Sequence, residues 1–322
     1  MSPVVRVATR PAEAVPLVPW RVRLRLDELV LAARLAGDVP LPVRVDTDGG
    51  HRLSDRLSGT PLSQARSLLA ASLARVDDDG PSGARASLQD QELLDGDDVD
   101  PAVASALVVL ATGPLGLQLD VAVERAAGTS RLRCWFGVAP GMVVQLSTGD
   151  GLDYELAWFD PALWVSQLTR AVTVEPWASS TAPMALPDYV SLPSELLAGS
   201  EKAHDEQRTD LVPAMAAAHV GRVRLGEPGH VHEADLEEVL ALLGTLGRAC
   251  RGRLRLLALR RDRAEDPAVL SWLLFDDGWH ELRPGRDATS VLRRRDARDV
   301  GLFSLPAVDA VARPAAGAGE ER

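Results

Sequence analysis

L-Q-L-D-V-A-V (Leu117–Val123), R-L-R-C-W-F-G-V (Arg131–Val138), M-V-V-Q-L-S-T (Met142–Thr148) and L-D-Y-E-L-A-W-F (Leu152–Phe159) follow one another between Gly113 and Thr173, and D-P-A-L-W-V-S-Q-L (Asp160–Leu168) closes the run. Large and polar residues alternate within each piece, and Gly128, Pro140-Gly141 and Gly149-Asp150-Gly151 separate the pieces at hairpin spacing. Period-two alternation bounded by turn residues predicts strands, and short Gly-containing turns predict an antiparallel meander. Between Gly252 and Leu305 the same order returns: R-L-R-L-L-A-L-R, A-V-L-S-W-L-L-F, W-H-E-L-R-P-G and T-S-V-L-R-R-R, then D-A-R-D-V-G-L-F-S-L. A helical stretch precedes each block, Pro101–Ala111 in one case and Glu233–Arg248 in the other. The pattern is that of a diverged internal duplication carrying two such sheets.

Working outward, Trp20–Leu26 alternates as a strand, and Asp27 caps a helix that stops at Gly37 and Pro40. Tyr189–Leu192 followed by Pro193-Ser194-Glu195-Leu196 echoes that opening with a one-residue slip. Asp46–Gly50 reads as a solvated turn, and Leu62, Ala65, Leu68, Leu69 and Leu73 predict an amphipathic helix over Pro61–Val76. Ser82–Asp100 is polar and acidic, with one helical turn near Leu93. Further helices are expected over Glu195–Ala203 and Leu211–Val220. The expected organisation is a tail over 1–19, a first half over 20–172, a Pro/Ser-rich linker over 173–188, a second half over 189–306 and a disordered tail over 307–322. The fold class is α+β: one body of two pseudo-symmetric halves, with an antiparallel meander sheet and flanking helical bundles.

Composition narrows the function classes. At 322 residues the chain has length for two halves, and 46% hydrophobic residues is normal for a folded body. A net charge of −11 repels phosphate backbones and anionic lipid. No segment approaches the roughly 20 apolar residues of a membrane span. Pro3, Arg6, Arg10 and Pro11 interrupt any leader-like apolar run, so the expected location is the cytoplasm. Cys134 and Cys250 allow one disulfide but no disulfide framework.

Catalytic signatures are missing: the sequence holds no G-x-S-x-G, phosphate-binding G-x-x-x-x-G-K, H-E-x-x-H or C-x-x-C. No cofactor is called for. His230-Val231-His232 reads first as a capping or solvent-exposed loop before a helix; as a metal site in an enzyme, it would need further ligands beyond its neighbours Glu233 and Asp235. Asp95–Asp100 fails as a calcium loop, because Asp100 stands where such a loop needs glycine. Seven tryptophans against four phenylalanines and two tyrosines suit core packing, an exposed one marking a partner surface. Arg293-Arg294-Arg295 reads as a solvated strand end.

The ordered combination of Leu26-Asp27-Glu28-Leu29, Gly149–Leu156 through Phe159-Asp160-Pro161, and Ala268–Trp272 with Asp276-Asp277-Gly278-Trp279 resembles the EspG family, the cytosolic chaperones of actinobacterial type VII (ESX) secretion systems. The resemblance runs from Leu24 to Leu305. It implies a single α+β body that is not an enzyme and binds the apolar tip of a PE–PPE helical heterodimer, keeping it soluble for export. It further implies that binding falls to a loop between early sheet strands, here Glu124–Ser130, and to a helical bundle, here Pro193–Arg248. Candidate contact residues are Arg125, Thr129, Leu211, Met215 and His219, and Met suits a surface that adapts to varied partners. Taken residue by residue, Leu211 and Met215 read first as bundle core. The short Glu124–Ser130 loop leaves open a scaffold protein that keeps the fold without binding PPE.

Overall fold

Twelve strands form one continuous sheet in which the two meanders meet edge to edge. The structure, a computed structural model, describes residues 18–43, 81–125, 128–174, 186–227, 229–261 and 267–312. In chain order these hold β1 (Trp20–Arg25), α1 (Leu26–Leu35), α2 (Pro81–Asp90), β2 (Leu94–Asp95), β3 (Asp98–Val99), α3 (Pro101–Thr112), β4 (Leu115–Arg125), β5 (Gly128–Ala139), β6 (Met142–Thr148), β7 (Asp153–Phe159) and α4 (Trp164–Val172). There follow β8 (Tyr189–Pro193), α5 (Ser194–Asp205), α6 (Val212–His219), β9 (Arg224–Glu227), β10 (His230–Glu233), α7 (Leu236–Ala249), β11 (Gly252–Arg260), β12 (Ala268–Phe275), β13 (Gly278–Pro284), β14 (Thr289–Arg295) and α8 (Arg298–Ala312). The sheet order is β1-β7-β6-β5-β4-β11-β12-β13-β14-β8-β9-β10, antiparallel throughout, and β2–β3 forms a separate two-stranded sheet.

The two expected sheets are therefore one, because β4 pairs with β11 over nine residue pairs from Gly252↔Val123 to Arg260↔Leu115. Leu119 lies opposite Leu256 in this ladder, and each pairs outward with the equivalent residue of its own meander, Cys134 and Leu270. The pseudo-twofold axis passes between these two leucines. From the first meander turn onward one offset relates the halves without interruption: Leu152 to Ala288, Leu156 to Leu292, Asp160 to Asp296 and Val165 to Gly301. The opening strands match too. Leu26 donates its N–H to Leu152 O at 2.8 Å, and Ser194 donates to Ala288 O at 2.9 Å.

Alternation decides which residues are buried. Leu115, Leu117, Leu119, Val121 and Val123 of β4 join Phe136, Leu254, Leu256 and Trp272 in a central core on one face of the sheet, closed by α4 and α8. Each such leucine or valine, fully removed from water, contributes about 1.5–3 kcal/mol. Trp164 of α4 donates its indole N–H to Ser304 Oγ of α8 at 3.0 Å, so the closing helices lock across the pseudo-axis. The opposite face carries two separate cores: α1, α2 and α3 over the first meander, and α5, α6 and α7 over the second. Helices begin at aspartates in both halves. Asp100 accepts from Ala102 N and Val103 N, and Asp235 accepts from Glu238 N while Glu238 returns the bond to Asp235 N.

Several expectations change. Pro81–Asp90 is helical and Leu94–Val99 a small hairpin, where the polar composition indicated a single turn. The last helix runs to Ala312, through Pro306, so 307–312 belong to the fold and not to a tail. His230–His232 lies in a strand, not a loop. The three C-terminal arginines are engaged: Arg293 stacks 5.4 Å from the Tyr189 ring, Arg294 donates to Asp277 O at 2.9 Å, and Arg295 donates to Glu281 Oε2 at 2.8 Å. The expected turn at Asp46–Gly50 and the expected helix over 61–76 lie outside the described residues, as do most of 1–19 and of the 173–188 segment.

Candidate interaction surface

The β4–β5 hairpin and the second-half bundle meet at one end of the sheet. Glu124 donates its N–H to Arg251 O at 2.7 Å, which sets the hairpin beside the C-terminal end of α7. Two residues further along, Arg253 of the adjoining strand β11 pairs with Glu201 of α5, joining the bundle to the sheet floor. His204 of α5 turns its ring onto Gly247 of α7, where an added Cβ would stand 2.4 Å from Nε2, and its Nδ1 lies 2.7 Å from Ser200 O. Glycine at 247 thus lets α5 and α7 close around that ring.

Side-chain parity assigns each predicted residue a face. Thr129 shares the phase of Trp135, which is buried in the first-half bundle core, so it faces the bundle side. Arg125 continues the phase of Val121 and Val123 and faces the opposite side, toward the layer of α4 and α8. The two hairpin residues are thus parted by the sheet. In the bundle, Leu211 is 42% exposed at the turn into α6. Met215 is half-buried against the second-half core, and its Cε occupies the space a Cβ would need at Gly199 of α5, 2.4 Å away. Met215 is therefore bundle packing. His219 is half-buried beside Glu195 at 3.8 Å, and Arg222 donates to Glu195 at 3.0 Å.

Between hairpin and bundle the sheet floor is charged. On the bundle face the ladder sets Arg131 and Arg253 on either side of Ala122, then Arg133 and Arg255 on either side of Asp120. The next row, beyond the pseudo-axis, reads Trp135, Gln118, Leu257 and Val269, of which Val269 is exposed. A band of four guanidiniums beside a helical bundle, in a chain of net charge −11, suits non-covalent recognition more than bond chemistry. Sequence reasoning missed this band. Its signal was the repeated R-L-R at Arg131–Arg133 and Arg253–Arg255, whose adjacency needs the β4–β11 pairing.

Neither cysteine is poised for chemistry. Burial pushes the Cys134 thiol far up, away from the thiolate form, and burial also raises that of Cys250; both cysteines are free. His230 and His232 lie on the exposed strand β10, and His232 Nε2 lies 3.0 Å from Glu238 Oε1. Among the described residues no group of three or more His, Cys, Asp or Glu side chains is placed to hold a metal ion, so the metal-enzyme reading gains no ligand set there. No described helix is long and apolar enough to cross a membrane. Of the described tryptophans Trp20 alone is exposed, at 59%.

No family profile and no curated protein matches this sequence. Among solved structures, the chain is similar to the Mycobacterium tuberculosis type VII secretion system chaperone EspG5, solved in complex with a PE25–PPE41 dimer. The TM-score is 0.51 and the identity 15%, over 94% of this chain and 99% of that one. At that identity the likeness establishes the fold, and the fold is the one that the resemblance to the EspG family implied.

Proposed function

We propose that this chain is an EspG-type chaperone of type VII secretion, binding a PE–PPE-type helical heterodimer in the cytoplasm and keeping it soluble for export, without catalysis or cofactor. The observation that carries the reading is the full-length likeness to a chaperone solved with such a dimer. The local geometry supports it. The β4–β5 hairpin at Glu124, a basic floor and a helical bundle meet at one end of the sheet, a surface on which a partner's helices could seat.

Within this reading Thr129 and Leu211 would touch a partner on the bundle side, whereas Met215 and His219 would act by shaping α6. Arg125 would contact only a partner that wraps around the hairpin. Co-expression with PE–PPE pairs of the source genome should give a soluble ternary complex that survives gel filtration. Thr129→Arg combined with Leu211→Asp should abolish it while leaving the melting curve unchanged. If no pair co-purifies, the chaperone reading fails, and a scaffold that keeps the fold takes its place.

A further inference from the structure

We infer that the outer edge of β1 is a strand-addition site for an extended segment of a partner protein that alternates acidic and apolar residues. β1 ends the sheet and pairs with β7 alone among the described strands. In an antiparallel ladder the N–H and C=O of one residue point to the same side, and those of the next residue to the other. The Leu26 N–H bond to Leu152 O fixes the phase. Leu24 and Val22 face β7, so Arg21 and Arg23 carry their backbone groups outward. The N–H of Arg25, next in that series, is already taken by Glu28 Oε2 at 2.7 Å.

The second half shows the same edge filled. Ser194 donates to Ala288 O in the equivalent place, and the outward residues Tyr189 and Ser191 of β8 lie opposite Gly226 and Arg224 of β9. The first-half counterpart of the β9–β10 hairpin is β2–β3, whose strands have two residues each against four, and which forms its own sheet. The edge geometry therefore accepts an antiparallel strand, and among the described residues the first half holds no hairpin long enough to supply it.

Side chains indicate the partner's pattern. β7, already seated on the inner edge, sets Asp153 opposite Arg25 and Glu155 opposite Arg23, with Tyr154, Leu156 and Trp158 opposite Leu24, Val22 and Trp20. Glu155 is drawn diagonally to Arg21, while Asp27 and Glu28 hold Arg25. Arg23 is exposed and has no side-chain partner among the described residues. A second copy of the chain is the wrong occupant: every antiparallel register matching the outward residues of two β1 strands sets arginine opposite arginine, which destabilises the pair. On the other face the exposed Trp20 and half-buried Val22 offer apolar ground. The cavity of about 760 Å³ beside β1 lies on its inner side, where Glu28, Asp153 and Glu155 join Arg23 and Arg25 in the lining, so the outer edge is left to the arginines of β1 itself.

The test uses the full chain and two capped synthetic octapeptides, one alternating glutamate with valine and tyrosine, the other with lysine at each glutamate position. The glutamate peptide should bind and slow amide exchange at Arg21 and Arg23, with the lysine twin about tenfold weaker, as like charges placed directly opposite predict. Arg23→Glu should reverse that preference, with an unchanged melting curve as the control for folding; Arg23→Gln, which removes the charge alone, should level it. Equal binding of both peptides, binding of neither, or exchange at Arg21 and Arg23 unaffected by the glutamate peptide overturns the proposal. None of these outcomes bears on the hairpin and bundle surface, which lies in other strands.

Discussion

In the first half a helix lies directly on the sheet, and in the second a layer of side chains lies between them. A Cβ added at Gly137 of β5 would stand 2.3 Å from Val109 O of α3, and one at Gly113 would stand 2.6 Å from the same oxygen. The equivalent of Gly137 is Leu273 of β12, which packs against the second-half core, and the equivalent of Gly116 is Arg253, which pairs with Glu201. Gly116 itself is roofed by Arg261, whose guanidinium donates to Leu110 O and Gly113 O and so closes the C-terminal end of α3. Duplication thus preserved the sheet and varied the spacer between helix and strand. The half with glycine beneath its helix is shut. The half with leucine and arginine there holds its helices off the sheet, Leu273 filling the gap and Arg253 tying α5 to the floor through Glu201.

The sharpest way to break that comparison is to exchange the spacers. Gly137→Leu must lift α3 from the sheet and should cost more than about 4 kcal/mol, in the range reserved for severe core disruption. Leu273→Gly leaves a cavity and a looser strand, and should cost about 2–3 kcal/mol. Urea unfolding of both variants measures the pair; equal costs would show that the two helices sit alike.

Next in size is the lock between the halves. Trp164 is fully buried, edge-on to Phe136 at 5.0 Å between ring centroids, and bonded to Ser304. Trp164→Ala should cost about 3–5 kcal/mol. Val300 holds the equivalent place on α8, and Val300→Ala should cost clearly less. If the two costs match, the closing helices contribute symmetrically and Trp164 is not their anchor.

Most of this frame was legible because strands announce themselves by alternation and helices by their caps. The quoted pieces became β4 to β7 and β11 to β14, and Asp100, Asp160 and Asp296 stand at the helix starts. The merging of two meanders into one sheet was not legible, since a strand buried at a seam alternates like a strand buried at an edge. The Ala/Gly-rich composition of the chain's last stretch suggested a tail, yet Val308, Val311 and Ala312 are buried and hold the helix through Pro306 to Ala312. The candidate surface was half legible. The R-L-R pieces are visible in the chain, but their adjacency is a property of the β4–β11 register. Met215 proved to be core because only the fold brings Gly199 against it.

Smaller effects follow at the caps. Asp100 accepts two backbone N–H groups and Asp235 accepts one within a reciprocal box, so Asp100→Ala and Asp235→Ala should each cost about 1 kcal/mol. Serine at either position, which also caps, should recover most of that cost. Thermal unfolding of the four variants measures it. A cap that costs nothing would mark its helix as held by packing alone.

The smallest effect separates the halves by acid. The first meander turn carries Pro140-Gly141, tied by Gly141 N–H to Ala312 O at 3.0 Å, and the second carries Asp276-Asp277. Burial pushes the Asp277 carboxyl up, but the hydrogen bond to His280, with the charges of His280 and Arg294, outweighs it and holds the group below its usual value. A carboxyl lowered by folding contributes stability that is present above its unfolded pKa, near 3.9, and is lost as pH falls through the folded value. Between pH 5 and pH 2.5, amides of β12 and β13 should therefore lose exchange protection before those of β5 and β6. Asp277→Asn should remove the difference. Should both hairpins open together in acid, the divergence of the halves is confined to the spacers beneath their helices and does not extend to their turns.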